Sequence, residues 1–313
     1  MVRNPFGFSE GVDNLQEKLG FSIDSKKKNS VVFDLGGSTD VASTILQTKF
    51  QCVDSVKDSI LYYFSFFYPG KTLVFVNAIN SVRKLVSFLQ VLGVPAWGLQ
   101  SQMQQRQRLK NLDQFKNRQN AILVCTDVAA RGLDIPNVDH VIQYHLPRSS
   151  ETYVHRCGRT GRAGKKGFSL LLGSEQEIQR LEGFTSDHVT DFEVRYKLLE
   201  QLEERVRLSH EIEKLNHSDK KSQKKKSWIL EKAEAMDLIV DEDLIEKEDE
   251  STSFQAKKHA TKLASLQAQL KTLLKEEIGT ETGKRSKFVT IRPDLHLKKQ
   301  QIADLVPPLF SSE

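Results

Sequence analysis

"AILVCTDVAARGLDIP" (residues 121–136) joins an unbroken apolar run to a polar turn rich in small residues. An apolar run bounded by turn residues predicts a strand that is buried on both faces of a sheet. The turn carries the candidate functional residues Thr126, Asp127, Arg131, Gly132 and Asp134. Because ligands of open α/β sheets bind outside the carboxyl ends of the strands, we expect a ligand near this turn.

Similar apolar runs recur on both sides of this segment, including "TLVFVN" (72–77), "HVIQYHL" (140–146) and "FSLLLG" (168–173), and "FQCV" (50–53) predicts a short first strand. Segments with helical spacing alternate with them, and Asp54 is expected to cap the first helix. This alternation predicts an α/β fold, with a parallel sheet covered by helices on both faces.

A second candidate segment, "YVHRCGRTGRAGKKG" (153–167), follows the "HVIQYHL" strand and is dense in positive charge. Its basic residues are Arg156, Arg159, Arg162, Lys165 and Lys166. Like charges this close repel, so we expect an anion among them: a surface counter-ion, a nucleic acid or a nucleotide. The glycine at Gly158 predicts that a helix ends there and that the last arginines project from a loop. Two guanidinium groups, those of Arg159 and Arg162, can form forked hydrogen bonds with one phosphate. Cys157, inside this arginine-rich segment, is interpreted as an inert spacer.

Composition excludes little. The 46 basic and 41 acidic residues give a net charge of +5, which an ordinary solvated surface explains as well as nucleic-acid binding does. The cysteines Cys52, Cys125 and Cys157 show neither metal-binding nor redox spacing, so no metal site is predicted. Without a long apolar run or a signal peptide, the chain is expected to be soluble and intracellular.

The chain divides into three regions by composition. Residues 1–48 are expected to be a linker and a remnant, 49–185 the α/β domain, and 186–313 a charged, mostly helical extension. The extension holds a lysine cluster at 219–226 and an acidic one at 240–250. Leu199, Leu202 and Val206 form one stripe of a predicted amphipathic helix, and the leucines between Leu263 and Leu273 are interpreted as a packing surface rather than a partner site.

These residues carry a family resemblance. "TDVAARGLDIP" followed by "HRCGRTGR" closely resembles motifs V and VI of the DEAD-box RNA helicases, "TLVFVN" resembles motif IV, and "MQQRQR" (103–108) resembles the Gln-x-x-Arg element. The resemblance covers residues 50–185 and implies a RecA-like fold, the second of two such domains. The tail segments "ERVRLSHEIEK" (204–214) and "SWILEKAEAMDL" (227–238) resemble the extension of a nucleolar subgroup that acts in large-ribosomal-subunit assembly.

The resemblance implies roles for particular residues. Arg159 and Arg162 would contact the ATP phosphates as arginine fingers, His155 would link to the catalytic motifs of the first domain, and Asp134 would contact the ribose. The residues implied to hold the RNA sugar-phosphate backbone are Gln105, Arg108, Thr126 and Gly132. Asp127 and Arg131 would mainly hold their loop in shape. Gln100-Ser101 departs from the family, which usually has His-Gly there.

Two features of an ATPase are missing from the sequence. "YPGKT" (68–72) has the ending of a P-loop, but Ser65 stands where the loop needs a glycine, and the segment ends a helix rather than opening one. No Asp-Glu-Ala-Asp run occurs. We therefore expect the first domain, with its Mg²⁺, to lie outside this chain and to be needed for activity.

Three functions remain open at this point. The first is the C-terminal half of an ATP-dependent RNA helicase acting on pre-ribosomal particles in the nucleolus, with no membrane partner. The second is a non-catalytic RNA-binding or ribosome-assembly module, and the third, less favoured, is a DNA-translocating relative.

Overall fold

A computed structural model describes residues 41–130, 135, 138–183, 189–235 and 242–278, with the backbone alone at 130 and over 219–257. All of them belong to one compact unit. The predicted site residues Arg131, Gly132 and Asp134 lie outside the described residues, as does the predicted linker up to residue 40.

The described strands form one parallel sheet in the order β3-β4-β2-β5-β6-β1-β7. They are β1 (Ile45–Gln51), β2 (Lys71–Phe75), β3 (Ala96–Leu99), β4 (Ala121–Cys125), β5 (His140–Gln143), β6 (Gly167–Gly173) and β7 (Thr190–Asp191). The parallel sheet and its flanking helices confirm the predicted fold class. Strand β1 begins five residues before the expected Phe50, because Ile45 to Lys49 pair in register with β6.

Helices connect the strands and cover both faces. They are α1 (Asp54–Phe67), α2 (Ile79–Val91), α3 (Gln105–Lys116), α4 (Asp127–Ala130), α5 (Ser150–Cys157), α6 (Glu175–Glu182), α7 (Tyr196–Ala235) and α8 (Glu242–Lys275). The expected cap at Asp54 is wrong: Val53 is the N-cap residue and makes no side-chain cap bond. Asp54 instead pairs with Lys57, at 2.9 Å.

Alternate residues along each strand pack into different cores. In β2, Val74 contributes to the core beneath α1, α2 and α7, whereas Leu73 and Phe75 contribute to the core beneath α3. In β6, Leu171 faces a third cluster with α5 and α6. Apolar side chains on both faces explain why the strands are continuous apolar runs in the sequence.

The extension is part of the main core. Leu199, Leu202 and Val206 of α7 are at most 6% exposed and pack with α1 and α2, as their spacing predicts. Leu266 and Leu270 of α8 join the same core, which confirms that the leucine stripe is a packing surface. These helices therefore brace the sheet face opposite α3.

Candidate functional site

Three strands of the sheet end at one buried arginine. Strands β4, β2 and β5 lie side by side, and Asp127, Asn77 and His145 follow their carboxyl ends. Helix α5 carries Arg156 to this edge, where its side chain is 1% exposed. Ser149 caps the helix by accepting a hydrogen bond from the Thr152 backbone N–H.

Arg156 holds all three strand ends through its guanidinium group. Its Nε and Nη2 donate to the two carboxylate oxygens of Asp127 at 2.7 and 2.8 Å. Its Nη1 donates to the carbonyl oxygen of His145 at 2.7 Å, and its Nη2 also donates to Asn77 Oδ1 at 3.0 Å. The guanidinium carbon lies 5.1 Å from the centre of the Phe75 ring. Such a bidentate, planar pair is among the strongest polar contacts in proteins.

The expectation that Arg156 meets an anion with the other basic residues is therefore wrong. Its charge is satisfied inside the protein, mainly by Asp127, because α5 turns this position towards the sheet. Sequence reasoning gave Arg156 no role of its own. The helical spacing offered a signal, since Tyr153 and Cys157 flank it on the buried face of α5.

Arg159 has a different environment three residues later. Helix α5 ends at Cys157 with Gly158 as its C-cap residue, which confirms the predicted helix end. Within the described part of the chain, the Arg159 guanidinium forms neither a hydrogen bond nor an ion pair. Burial, followed by the nearby charge of Arg162, lowers the pKa of Arg159. A half-buried cation beside a like charge is a favourable position for an anion.

Arg162 and His155 are exposed on either side of Arg159. The Arg162 Nε donates to the Gly158 carbonyl oxygen at 3.2 Å, which holds the loop back against the helix end. His155 Nε2 lies 4.0 Å from Glu151 Oε1, with 62% of the histidine side chain exposed. Gly161 shapes the loop: its φ is +68°, and a Cβ there would lie 2.6 Å from Ile45 Cγ1.

The candidate RNA-contact residues lie on and beside α3. Gln105 is exposed on the first turn of α3. Arg108 Nη2 donates to the Ala129 carbonyl oxygen at 3.2 Å, which joins α3 to α4, and its buried Nε has no hydrogen-bond partner among the described residues. Thr126, 8% exposed, lies between β4 and α4. Gln100, at the departure from the family pattern, is 7% exposed, and its Oε1 finds no hydrogen-bond partner in the described part of the chain.

Burial governs the titration of two residues near this edge. Burial, then the charge of Lys57, lowers the pKa of His145, and the neutral ring accepts a hydrogen bond from the Asn77 N–H at its Nδ1. Burial raises the pKa of Cys157 to about 11. The interpretation of Cys157 as a spacer is wrong, because its Sγ lies 3.3 Å from Ser169 Oγ and packs in the third core cluster.

The structure thus gathers five candidate residues around the same carboxyl edge of the sheet. They lie on α3 (Arg108), at the junction of β4 and α4 (Thr126, Asp127), and in the loop after α5 (Arg159, Arg162). Asp127 belongs to the internal network with Arg156. The segment 68–72 ends α1 and opens β2, as expected for a sequence that is not a P-loop. Among the described residues, no cluster has three metal-ligating side chains, and no helix could span a bilayer.

Comparisons with known proteins agree with these motifs. Residues 56–164 match the family described as helicase conserved C-terminal domain. The ATP-dependent RNA helicase ddx24 of Dictyostelium discoideum is 40% identical over 275 residues, which cover 85% of this chain and 29% of that protein. The ATP-dependent RNA helicase mak5 of Schizosaccharomyces pombe is 35% identical over 289 residues, which cover 88% and 44%.

Among solved structures, the E. coli DEAD-box protein SrmB bound to RraA is 30% identical to this chain, with a TM-score of 0.44. That match covers 48% of this chain and 91% of that one. The chain spans less than half the length of the two curated relatives, between 29% and 44%. With Thr126, Asp127 and the end of α5 at one edge of a parallel sheet, and with these relatives in sequence, residues 56–164 belong to the family described as helicase conserved C-terminal domain, and the chain is similar to ATP-dependent RNA helicases.

Proposed function

We propose that this chain is the C-terminal half of an ATP-dependent RNA helicase, in which ATP binding and hydrolysis are coupled to RNA unwinding or remodelling. The α/β domain, residues 49–185, would be the second RecA-like domain, and residues 186–313 its extension. A first domain that carries the P-loop and the Asp-Glu-Ala-Asp motif would hold ATP and Mg²⁺ against it.

The environment of Arg159 is the observation that supports this proposal most. Its guanidinium is half-buried at the carboxyl edge of the sheet, lies near the charge of Arg162 and pairs with no described residue. Protein interiors rarely leave a cation in this state unless an anion completes the site. A nucleotide phosphate held by another domain fits this requirement, because a guanidinium forks two N–H groups onto its oxygens.

Each candidate residue then has a distinct part in the nucleotide site. Arg159 and Arg162 would bind the ATP phosphates and stabilise the charge that develops during transfer, an effect that can be worth about 10³–10⁵ in rate. Exposed His155 would connect to the catalytic motifs of the first domain. Asp134 would hold the ribose hydroxyls. Arg156 and Asp127 would fix the position of the helix end from which Arg159 projects.

RNA would bind along the neighbouring stretch of the same edge. Gln105, Arg108, Thr126 and Gly132 would contact the sugar-phosphate backbone, while Arg131 and Asp127 would shape the loop between them. Such contacts position a strand but read no bases. Each domain would hold part of both ligands, so that closing the domains would bend one RNA strand and hydrolysis would release it.

The proposed cellular setting rests on the extension. Its similarity to the tails of a nucleolar subgroup supports pre-ribosomal particles as the partner and the nucleus and nucleolus as the location. The lysine cluster at 219–226 could serve as an address there, or as a solvated charge run.

The decisive experiment measures RNA-stimulated ATP hydrolysis in a protein that joins this chain to a first domain with a P-loop and an Asp-Glu-Ala-Asp motif. Arg159→Lys and Arg162→Lys should each lower the turnover at saturating RNA about 10³-fold or more, because lysine keeps the charge but cannot form two parallel hydrogen bonds with a phosphate. The matched control is Arg207→Lys, since Arg207 pairs with Glu204 and Glu211 on the exposed face of α7.

Turnover that survives both substitutions within about threefold would refute arginine fingers at these positions. DNA stimulation equal to RNA stimulation would favour a DNA-translocating relative instead.

A second function has one observation in its favour: the 313 residues contain neither a P-loop nor an Asp-Glu-Ala-Asp run. The chain could therefore act as a non-catalytic RNA-binding or ribosome-assembly module. Salt-sensitive RNA affinity of the chain, without turnover when a first domain is supplied, is the result that this function predicts.

A further inference from the structure

We propose that Tyr144 is a positioning residue for the arginine site and that the extension helix α7 acts on that site through it. The path runs from His210 of α7 through Asp58 and Tyr144 to His145 and Arg156. This inference rests on the proposed function for its effect on catalysis, but its structural part concerns this chain alone.

The first part of the path joins the extension to the sheet through Asp58. This carboxylate, on α1, is 5% exposed. Its Oδ1 accepts a hydrogen bond from the Tyr144 hydroxyl at 2.8 Å, and its Oδ2 lies 3.3 Å from His210 Nε2. The His210 ring also stacks on Phe88 at a centroid distance of 4.8 Å. One buried carboxylate is thus shared by the extension and the end of β5.

The second part joins Tyr144 to Arg156 through a single peptide bond. Tyr144 and His145 both donate their backbone N–H groups to the Phe75 carbonyl oxygen, at 3.1 and 3.3 Å. The carbonyl oxygen of His145 accepts from Arg156 Nη1 at 2.7 Å. A displacement of the Tyr144 ring therefore moves the carbonyl that fixes Arg156, and Arg159 follows Arg156 by three residues.

Polar burial makes this path stiff. Burial, followed by the charge of Asp58, raises the pKa of Tyr144, so its hydroxyl stays protonated and donates. Removing the hydroxyl leaves the buried Asp58 Oδ1 without its tyrosine donor. Because an unsatisfied buried oxygen is costly, the side chains around Asp58 should rearrange. Lys57 adds a second restraint, with its Nζ 5.9 Å from the centre of the Tyr144 ring.

Tyr63 supplies a matched control on the same helix as Asp58. Tyr63 is 2% exposed, against 9% for Tyr144, and its hydroxyl accepts a hydrogen bond from the Arg195 N–H at 3.3 Å, just before α7 begins. Tyr63→Phe removes the same atom from the same junction between α1 and the extension. Within the described residues, no hydrogen bond leads from Tyr63 to His145 or Arg156, so the two variants separate the path from general packing.

The first test follows the Arg156 Nε proton by ¹H–¹⁵N NMR in the 313-residue chain. Tyr144→Phe should accelerate its exchange with solvent by about two- to thirtyfold, the range expected for loss of one coupling contact. Tyr63→Phe should leave the rate within about twofold of the parent. Equal rates in the two variants would overturn the proposal. Should Tyr144→Phe not fold, His210→Gln carries the test with the same criterion.

The second test measures RNA-stimulated ATP hydrolysis in the two-domain protein. Tyr144→Phe should lower kcat by about two- to thirtyfold with KM for ATP unchanged, because the change misplaces Arg159 and spares the first domain's ATP site. Tyr63→Phe should retain the parent kcat. An unchanged kcat in Tyr144→Phe contradicts this inference alone when Arg159→Lys is inactive. If Arg159→Lys is active too, the same result also contradicts the proposed function.

Discussion

Arg156 and Arg159 are three residues apart and lie in opposite environments. Arg156 is 1% exposed and donates four hydrogen bonds to three strand ends. Arg159 is half-buried, lies beside another arginine and makes no side-chain bond within the described residues. The difference separates two uses of the same side chain: one arginine builds the edge of the sheet, and the other is held there without a partner among the described residues.

Helix geometry produces this difference. Arg156 is on the buried face of α5 between Tyr153 and Cys157, so its guanidinium points under the helix towards Asp127. The helix ends at Cys157, and Gly158 turns the chain before Arg159. A site that binds and releases an anion needs a rigid support and a donor that can reach the anion. Arg156 supplies the support, and Arg159, three residues later, supplies the donor.

The largest expected effect is the loss of the internal arginine. Arg156→Ala should lower the free energy of unfolding by about 3 kcal/mol, because it removes a buried pair and leaves Asp127 and the His145 carbonyl without their donor. Part of the Asp127 side chain, 29%, is exposed to water, which keeps the loss at the lower end of the usual range. Urea unfolding of the chain measures it.

Arg159→Ala is the matched change on the other side of the comparison. It should alter the free energy of unfolding by no more than about 0.5 kcal/mol, since it breaks no bond within the described residues. Equal losses in the two variants would mean that Arg159 is structural too, and the contrast would fail.

A third arginine, Arg205, carries the comparison into the extension. It is 3% exposed, and its Nη2 donates to the carbonyl oxygens of Leu273 and Glu276 at 2.5 and 2.9 Å, at the end of α8. Cations stabilise helix carboxyl ends, where carbonyl groups lack partners within the helix. Arg205→Met should lower the free energy of unfolding by about 2 kcal/mol and expose the α8 amides to hydrogen exchange.

Arg207 is the control for Arg205, two residues along the same helix. Its ion pairs with Glu204 and Glu211 are exposed, so Arg207→Met should change the free energy of unfolding by no more than about 0.5 kcal/mol. Unaltered hydrogen exchange of α8 in Arg205→Met would show that the leucine stripe alone docks this helix.

The sequence predicted the parts of the fold that depend on local pattern. The apolar runs that form β2, β4 and β6 are buried on both faces, so these strands could be predicted without knowing which strands pair with them. The candidate residues Thr126 and Arg159 were found because a parallel sheet gathers its carboxyl ends at one edge.

Features that depend on residues far apart in the chain could not be predicted from the sequence. The partners of Arg156 are 29 and 79 positions away at Asp127 and Asn77, and nothing in the charge pattern distinguishes a guanidinium that they satisfy from one that faces water. The start of β1 was missed for a similar reason. "ILQTK" (45–49) mixes apolar and polar residues, and its strand depends on pairing with β6, more than 120 residues later.

The smallest expected effect concerns His145. Its ring accepts a hydrogen bond from the Asn77 N–H, and its carbonyl oxygen accepts one from Arg156. Burial and the Lys57 charge lower the pKa of its ring below the ordinary 6.5, while in the unfolded chain it titrates normally. Between the two pKa values the unfolded chain binds more protons, so the free energy of unfolding should fall as pH drops below 6.5. His145→Gln should flatten this fall, as measured by urea unfolding between about pH 7.5 and 5.5, above the range in which most carboxylates titrate. An identical pH dependence in the variant would mean that acid acts elsewhere, with His210 as the next residue to replace, because burial lowers its pKa as well.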